Sequence, residues 1–147
     1  MLLVVNLVAT AFMTGVIWCV QMAHYPLMSG WPHDDFGRWE AMHRSRIGVV
    51  VVPAMLVEGI TAAAIIARRP PGVPVWMAWA AAGVLLVLWA STFLVQVPLH
   101  DRLSSGWDAD AHSRLVATNW IRTLLWSVRL ALVAAMLIAS HPGESRP

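Results

Sequence analysis

Charge is scarce in this sequence. Only 12% of its 147 residues are charged and 59% are hydrophobic, whereas ordinary soluble domains are about 25% charged and about 45 to 50% apolar. All ten basic residues are arginines, and the net charge is only +2. So few charges exclude a disordered tail and a nucleic-acid-binding protein. The composition therefore predicts a membrane protein, and the length predicts one domain.

Cysteine is almost absent as well. The single cysteine, Cys19, lies inside an apolar run, so no intramolecular disulfide can form and no redox compartment can be inferred. The sequence also has no His-Glu-x-x-His and no Cys-x-x-Cys pattern. No established metal-binding motif therefore identifies a set of ligands.

Four apolar stretches are each long enough to span a hydrocarbon core, which needs about 20 helical residues. They predict an all-α, integral membrane four-helix bundle that forms a single transmembrane domain, and we expect it in the bacterial cytoplasmic membrane. The turn Arg68-Arg69-Pro70-Pro71-Gly72 joins the second and third helices. Helices two and four are expected to project past the bilayer at the opposite end. The predicted spans cover about residues 2–24, 44–68, 74–100 and 112–139.

The two halves of the chain show similar motifs in the same order. A duplicated helical hairpin would produce this order, with the two halves related by an axis along the membrane normal. The alternative is that any such hairpin needs a proline at the helix exit, a glycine turn and an acidic cap. The matching motifs are Gln21, Pro26-Leu27 and Ser29-Gly30-Trp31 in the first half, and Gln96, Pro98-Leu99 and Ser105-Gly106-Trp107 in the second.

Polar residues occur where lipid is expected, and their spacing places those of each span on one helical face. Ionisable residues at membrane depth usually face the bundle interior or a water-filled cavity, so each polar face is expected to point inward. A rise of about 1.5 Å per residue places these residues in one layer near one membrane face. The layer consists of Gln21, His24, His43, Gln96, His100, His112, Asn119 and Arg122.

This layer is open to three interpretations. Imidazole binds Zn, Cu and Fe, and helix bundles hold such metals in their cores. The candidate ligands of a transition metal or haem are then His24, His43, His100 and His112. In the second interpretation the histidines are structural residues of the membrane interface. In the third, they bind a substrate or exchange a proton with it. The sequence leaves the identity of any cofactor open.

One further pair of charges lies deeper in the bilayer. Glu58 in the second span and Arg129 in the fourth both lie roughly 15 Å from the Arg68 end by helical rise. Either charge alone would cost about 2.5 to 3.5 kcal/mol at a helix centre. We therefore expect Glu58 and Arg129 to form a structural ion pair between helices two and four.

Two short segments of the second half resemble a known family. Val97-Pro98-Leu99-His100 and Asn119-Trp120-Ile121-Arg122-Thr123 are similar to segments of the small four-span membrane proteins that include the anthrone oxygenases. The resemblance covers mainly Gln96 to Arg129, about a quarter of the chain. It implies a reaction of flat, apolar aromatic molecules with dioxygen, without an obvious bound cofactor. His100, Asn119 and Arg122 are the residues that match functional positions, and His100 stands where the family frequently has asparagine.

These observations predict an integral membrane oxidoreductase-like protein that binds a small hydrophobic molecule, aromatic or quinone-like, beneath the histidine layer. A histidine would remove a proton, and the asparagine and arginine would stabilise the oxyanion. Gln21 and Gln96 are expected to position the molecule. The expected catalytic residues are His24, His100, Asn119 and Arg122.

Two other functions stay open at this stage. One is a metal- or haem-binding membrane subunit without turnover of its own, and the other is a transporter or structural partner protein. The expected partners are the lipid bilayer and the small hydrophobic molecule. A second copy of the chain or another membrane protein is left open as a partner, and nucleic acid is not expected.

Overall fold

Four long helices make up the protein, as the hydropathy pattern predicts. The computed structural model describes residues 1–141, is 87% helical, and has no strand in that part of the chain. A short 3₁₀ turn, His33–Asp35, precedes the second helix. The helices are α1 (Leu2–Met28), α2 (Phe36–Ala67), α3 (Val75–Leu103) and α4 (Ala109–Ala139).

Each helix is long and apolar enough to cross a membrane. The mean hydropathy of the most apolar windows lies between 1.8 and 2.3. Large apolar side chains are exposed along the bundle, for example Val49, Trp76 and Leu86, as expected for surfaces that contact lipid tails. The protein is therefore an integral membrane protein. Pro53 lies inside α2, and the helix continues through it.

The helices occupy the corners of a square. α1 packs against α2 and α4, and α3 packs against the same two helices. The diagonal pairs, α1 with α3 and α2 with α4, make no close backbone approach among residues 1–141. Side chains that cross a diagonal are therefore the direct links between opposite helices.

Apolar side chains fill the bundle in three clusters along its length. Near the Arg68 end the buried residues include Leu3, Ile65 and Val133. Met13, Leu88 and Trp126 are buried in the middle. The buried residues at the opposite end include Tyr25, Met28, Phe36, Leu103 and Leu115.

α1 and α3 each contain one π-helical turn, at Val20–His24 and Thr92–Gln96. Each turn ends two residues before a proline, Pro26 or Pro98. Proline has no N–H, and its ring crowds the carbonyl one turn back, so a wider turn before it relieves the clash. Because a proline at the helix exit accounts for each turn, the matching positions agree with the internal repeat and with the alternative alike.

Asp108 caps the N-terminus of α4. Its carboxylate accepts a hydrogen bond from the Ala111 N–H at 3.0 Å and pairs with Arg102 at 2.6 Å. The Ala111 N–H, together with Arg102, lowers the pKa of the Asp108 carboxyl. Since the folded-state pKa is depressed, the stability from this cap is present above the ordinary carboxyl pKa and is lost as the pH falls through the depressed one. The Arg102–Asp108 pair thus joins the C-terminal end of α3 to the N-terminal end of α4.

Glu58 and Arg129 meet across the α2–α4 diagonal. Their closest atoms, Glu58 Oε1 and Arg129 Nη1, are 3.4 Å apart, and both side chains are fully buried. The hydroxyl of Thr10 donates to Glu58 at 2.8 Å and accepts from Arg129 at 2.7 Å. Trp126 Nε1 donates to the other carboxylate oxygen at 3.3 Å. The pair is therefore held by hydrogen bonds from α1 and α4 as well as by charge.

Removing one charge of this pair is expected to destabilise the protein more than removing both. Glu58→Gln or Arg129→Met leaves an unpaired polar or charged group in a dry interior, at a cost of about 3 to 5 kcal/mol. We expect each single variant to melt well below the wild type in detergent, and the double variant to recover part of the loss. The matched control is Arg114→Met, which removes one member of an exposed pair on α4. Equal melting temperatures for Arg129→Met and the wild type would contradict the pairing.

The turn between α2 and α3 requires glycine at position 72. Gly72 has a φ of 79°, and a Cβ built on it would lie 2.3 Å from the Ala139 carbonyl oxygen. The turn therefore packs so closely against the C-terminal end of α4 that no side chain fits at position 72.

Gly72→Ala is expected to lower the free energy of unfolding by at least about 1 kcal/mol, because it adds left-handed backbone strain to a backbone clash. The control is Gly83→Ala inside α3, where a Cβ meets nothing within 4 Å and alanine is the better helix former. Denaturation in mixed detergent micelles measures both. A Gly72→Ala variant as stable as Gly83→Ala would show that the turn adapts.

Candidate functional site

Three histidines from three helices meet near the end of the bundle opposite Arg68. The rings of His24 on α1 and His43 on α2 are stacked with centroids 4.1 Å apart. The ring of His100 on α3 lies 5.6 Å from His43. The fourth histidine of the predicted layer, His112, lies apart: its Nε2 contacts the Tyr25 carbonyl at 2.7 Å.

The predicted four-histidine metal site is not formed in this arrangement. Within residues 1–141, no group of three or more histidine, cysteine, aspartate or glutamate side chains is placed to hold a metal ion. His24 and His43 lie face to face, so their nitrogens do not converge on one point, and both nitrogens of His100 have protein partners. The described residues therefore offer no set of three or more such ligands for a transition-metal ion.

A chain of hydrogen bonds links three helices through His100. His100 Nδ1 lies 2.5 Å from the carboxylate of Glu40 on α2, and its Nε2 lies 2.9 Å from the hydroxyl of Tyr25 on α1. Glu40 is fully buried and Tyr25 nearly so. In a neutral imidazole one nitrogen donates and the other accepts. The carboxylate needs the proton on Nδ1, so Nε2 accepts from the Tyr25 hydroxyl.

Neither Glu40 nor Tyr25 is among the residues that the sequence singles out. A signal for Glu40 does exist, because Glu40-Ala41-Met42-His43 has the Glu-x-x-His spacing that places both side chains on one helical face. Tyr25 is the only tyrosine and directly precedes the proline that follows the first π-helical turn. Its partner His100 lies 75 positions away, and no local pattern indicates that contact.

Arg122 on α4 lies beside this chain and is held by amides. Its Nη1 donates to Asn119 Oδ1 at 3.0 Å, and Asn119 Nδ2 donates to Gln21 Oε1 at 2.8 Å. The guanidinium also lies over the ring of Trp126, 5.4 Å from its centroid. Within residues 1–141 no carboxylate lies within 4 Å of it. Arg122 is thus a 91% buried cation without an anionic partner in that part of the chain.

These groups surround a cavity of about 250 Å³ between the four helices, which we call the inner cavity. Its floor and sides are apolar, with Met13, Ile17 and Val51 among the lining residues. Arg44 lies at its edge and pairs with Asp101 at 2.6 Å. The polar side chains that line the inner cavity are Tyr25, His43, Arg44, Thr92, Gln96, His100 and Arg122.

The predicted substrate-positioning residues have different surroundings. Gln96 lines the inner cavity, with its Nε2 bonded to Thr118 at 3.0 Å and its Oε1 without a partner among the described residues. Gln21 and Asn119 do not line it. Asn119 bonds to both Gln21 and Arg122, so the effect of these two amides on a bound molecule is to orient the guanidinium. Among the predicted catalytic histidines, His100 reaches the inner cavity and His24 does not.

Comparisons of the chain with protein families, with curated proteins and with solved structures find no match. The fold and the inner cavity therefore define the class: a four-helix integral membrane protein with a mostly apolar, partly open cavity bordered by an acid–imidazole–phenol chain and a buried arginine. The resemblance to the anthrone oxygenase family stays a prediction.

The short contact between Glu40 and His100 is expected to give a distinct signal in solution. A proton shared between a carboxylate and an imidazole at 2.5 Å is strongly deshielded, because charge-assisted hydrogen bonds are the short, strong ones. We expect one ring N–H resonance far downfield in ¹⁵N-histidine-labelled protein, and its loss in Glu40→Gln. His141→Gln, a variant of an exposed residue, serves as the control and should retain it. A spectrum that Glu40→Gln leaves unchanged would contradict the contact.

Proposed function

We propose that the protein binds a small hydrophobic molecule, aromatic or quinone-like, in the inner cavity and exchanges a proton with it through Tyr25. The observation that carries this proposal is the hydrogen-bonded chain from the buried carboxylate of Glu40, through His100, to a hydroxyl group on the cavity wall. A carboxylate, an imidazole and a hydroxyl in this order form the arrangement that activates a hydroxyl in many enzymes.

The proton transfer follows from the hydrogen-bond directions. A weakly acidic O–H or C–H group of the bound molecule gives its proton to the Tyr25 oxygen while the tyrosine proton passes to His100 Nε2. His100 then carries a proton on both nitrogens and is paired with the Glu40 carboxylate. The charges balance, because the bound molecule becomes an anion as the imidazole becomes a cation.

Arg122 supports the same step from α4, which packs against both the Tyr25 helix and the His100 helix. Its guanidinium is permanently charged, reaches the inner cavity and is already held in place by Asn119. An anion formed on the bound molecule gains a cationic partner in a medium of low dielectric constant, where such an interaction is strong. In this proposal the apolar walls contact the hydrophobic body of the molecule, and Arg122 contacts its oxygen.

The oxidoreductase-like part of the proposal rests on the family resemblance. For an anthrone-type substrate, removal of a proton from the ring CH₂ gives an electron-rich enolate. Dioxygen is the oxidant: the CH₂ group becomes C=O, one oxygen atom enters the product and the other leaves in one molecule of water. In this reaction the protein supplies the base, the cation and an apolar cavity.

Ionisation of bound 1-naphthol tests the binding and charge stabilisation directly, since naphthol and its anion differ in absorption. We expect bound naphthol to ionise at a pH about one unit or more below free naphthol, because the adjacent cation favours the anion. Arg122→Gln should raise that midpoint again. Arg114→Gln on the exposed face of the same helix is the matched control and should behave as the wild type.

Turnover is tested with anthrone and dissolved dioxygen. We expect consumption of one dioxygen per anthraquinone formed, and a kcat about 10² to 10⁴ lower in Tyr25→Phe and His100→Gln, the range for loss of general acid–base catalysis. Absence of naphthol binding would overturn the whole proposal. Binding with a shifted midpoint but no dioxygen uptake would overturn only its oxidoreductase part.

A further inference from the structure

A second, larger hollow lies on the side of the bundle, between α1 and α2, and we call it the outer groove. It has a volume of about 440 Å³ and is open at the outer surface of these two helices, where Cys19 and Val50 are exposed. Its walls are mostly apolar or aromatic, with Val16, Trp39 and Val50 among the lining residues, and the polar residues on them are His24, His43 and Arg46. An opening of this kind suits an alkyl or prenyl chain, and offers little to a polar ligand.

The outer groove and the inner cavity adjoin each other. Val16, Val20, His43 and Ile47 line both of them. Of these four side chains, His43 alone is polar, and it makes no side-chain hydrogen bond within residues 1–141. Its ring is positioned by stacking on His24. The His43 ring can therefore rotate away at the cost of one stacking contact, without breaking a side-chain hydrogen bond.

The size of the inner cavity limits what it holds. Pockets that bury most of a drug-sized ligand have volumes of about 300 to 1,000 Å³, and the inner cavity, at about 250 Å³, lies below that range. It has room for a compact ring system, and Tyr25, His100 and Arg122 of the proposed reaction face it. A longer ligand has to continue outside it, and the adjoining space with matching chemistry is the outer groove.

We propose that the outer groove is the tail subsite of the inner cavity, so that the ligand is an amphiphile with a hydroxylated or carbonyl-bearing aromatic head and an apolar tail. The head lies against Tyr25 and Arg122, and the tail passes His43 and leaves between α1 and α2 into the bilayer. This inference rests on the proposed function for the position of the head. It adds the class of ligand and the side from which the ligand enters.

Two matched probes test the tail subsite: 1-naphthol and 2-decyl-1-naphthol, which share a head and differ in a ten-carbon tail. Both are titrated at equilibrium into protein in the same detergent. Val50→Trp and Cys19→Trp fill the groove from opposite walls, and both positions are exposed, so folding is not challenged. We expect each variant to weaken binding of the decyl probe at least about tenfold, the factor for about 1.4 kcal/mol of overpacking, and to bind 1-naphthol like the wild type.

The control is Val49→Trp, which adds the same bulk one residue away on α2. Val49 is 77% exposed and does not line the outer groove, so both probes should bind as to the wild type. If 1-naphthol binds and the groove variants leave the decyl probe unaffected, the tail subsite is wrong and the proposed function stands. If Val49→Trp weakens the decyl probe as much as Val50→Trp does, the tail subsite is also wrong. Failure of both probes to bind the wild type overturns the proposed function and the tail subsite together.

Discussion

The absence of water from the bilayer core is the constraint on which this structure depends. A polar side chain placed there must find its partner inside the protein, because lipid tails supply none. Apolar packing alone gives little preference for one helix arrangement, since the tails are as apolar as the side chains. Buried polar contacts therefore do much to fix which helices lie together and at what height.

The two principal polar contacts both cross the square of helices along a diagonal. Glu58 on α2 reaches Arg129 on α4, and Tyr25 on α1 reaches His100 on α3. Neither pair of helices makes a close backbone approach within residues 1–141. The first contact lies deep in the bundle and is an ion pair whose two charged groups also form hydrogen bonds with neighbouring side chains. The second lies near one end, beside open space, which is where a polar group is available for chemistry.

The sequence predicts the features that depend on hydropathy and helical rise. It does not predict the contacts between side chains from distant segments. The four spans follow from runs of apolar residues, and the meeting of Glu58 and Arg129 follows from their equal depths. The Glu40–His100 and Tyr25–His100 contacts join residues 60 and 75 positions apart. Depth alone places His112 in the same layer as the other histidines, yet its ring turns to Trp107 and the Tyr25 carbonyl. Depth fixes the layer in which a side chain lies and leaves its neighbours undetermined.

The π-helical turns are a further reason why the sequence does not predict these contacts. They make the direction of each later side chain depend on the number of residues in the turn. An extra residue in one turn rotates everything beyond it by about 100° relative to a regular helix. Tyr25 follows directly after the turn at Val20–His24, so the direction of its hydroxyl is set by that additional residue. A single-residue deletion within this turn would restore a regular α1 with nearly the same composition and hydropathy, while its tyrosine would no longer face His100. Chain length between the N-terminus of α1 and Pro26 is thus as much a determinant of the site as the identity of any residue in it.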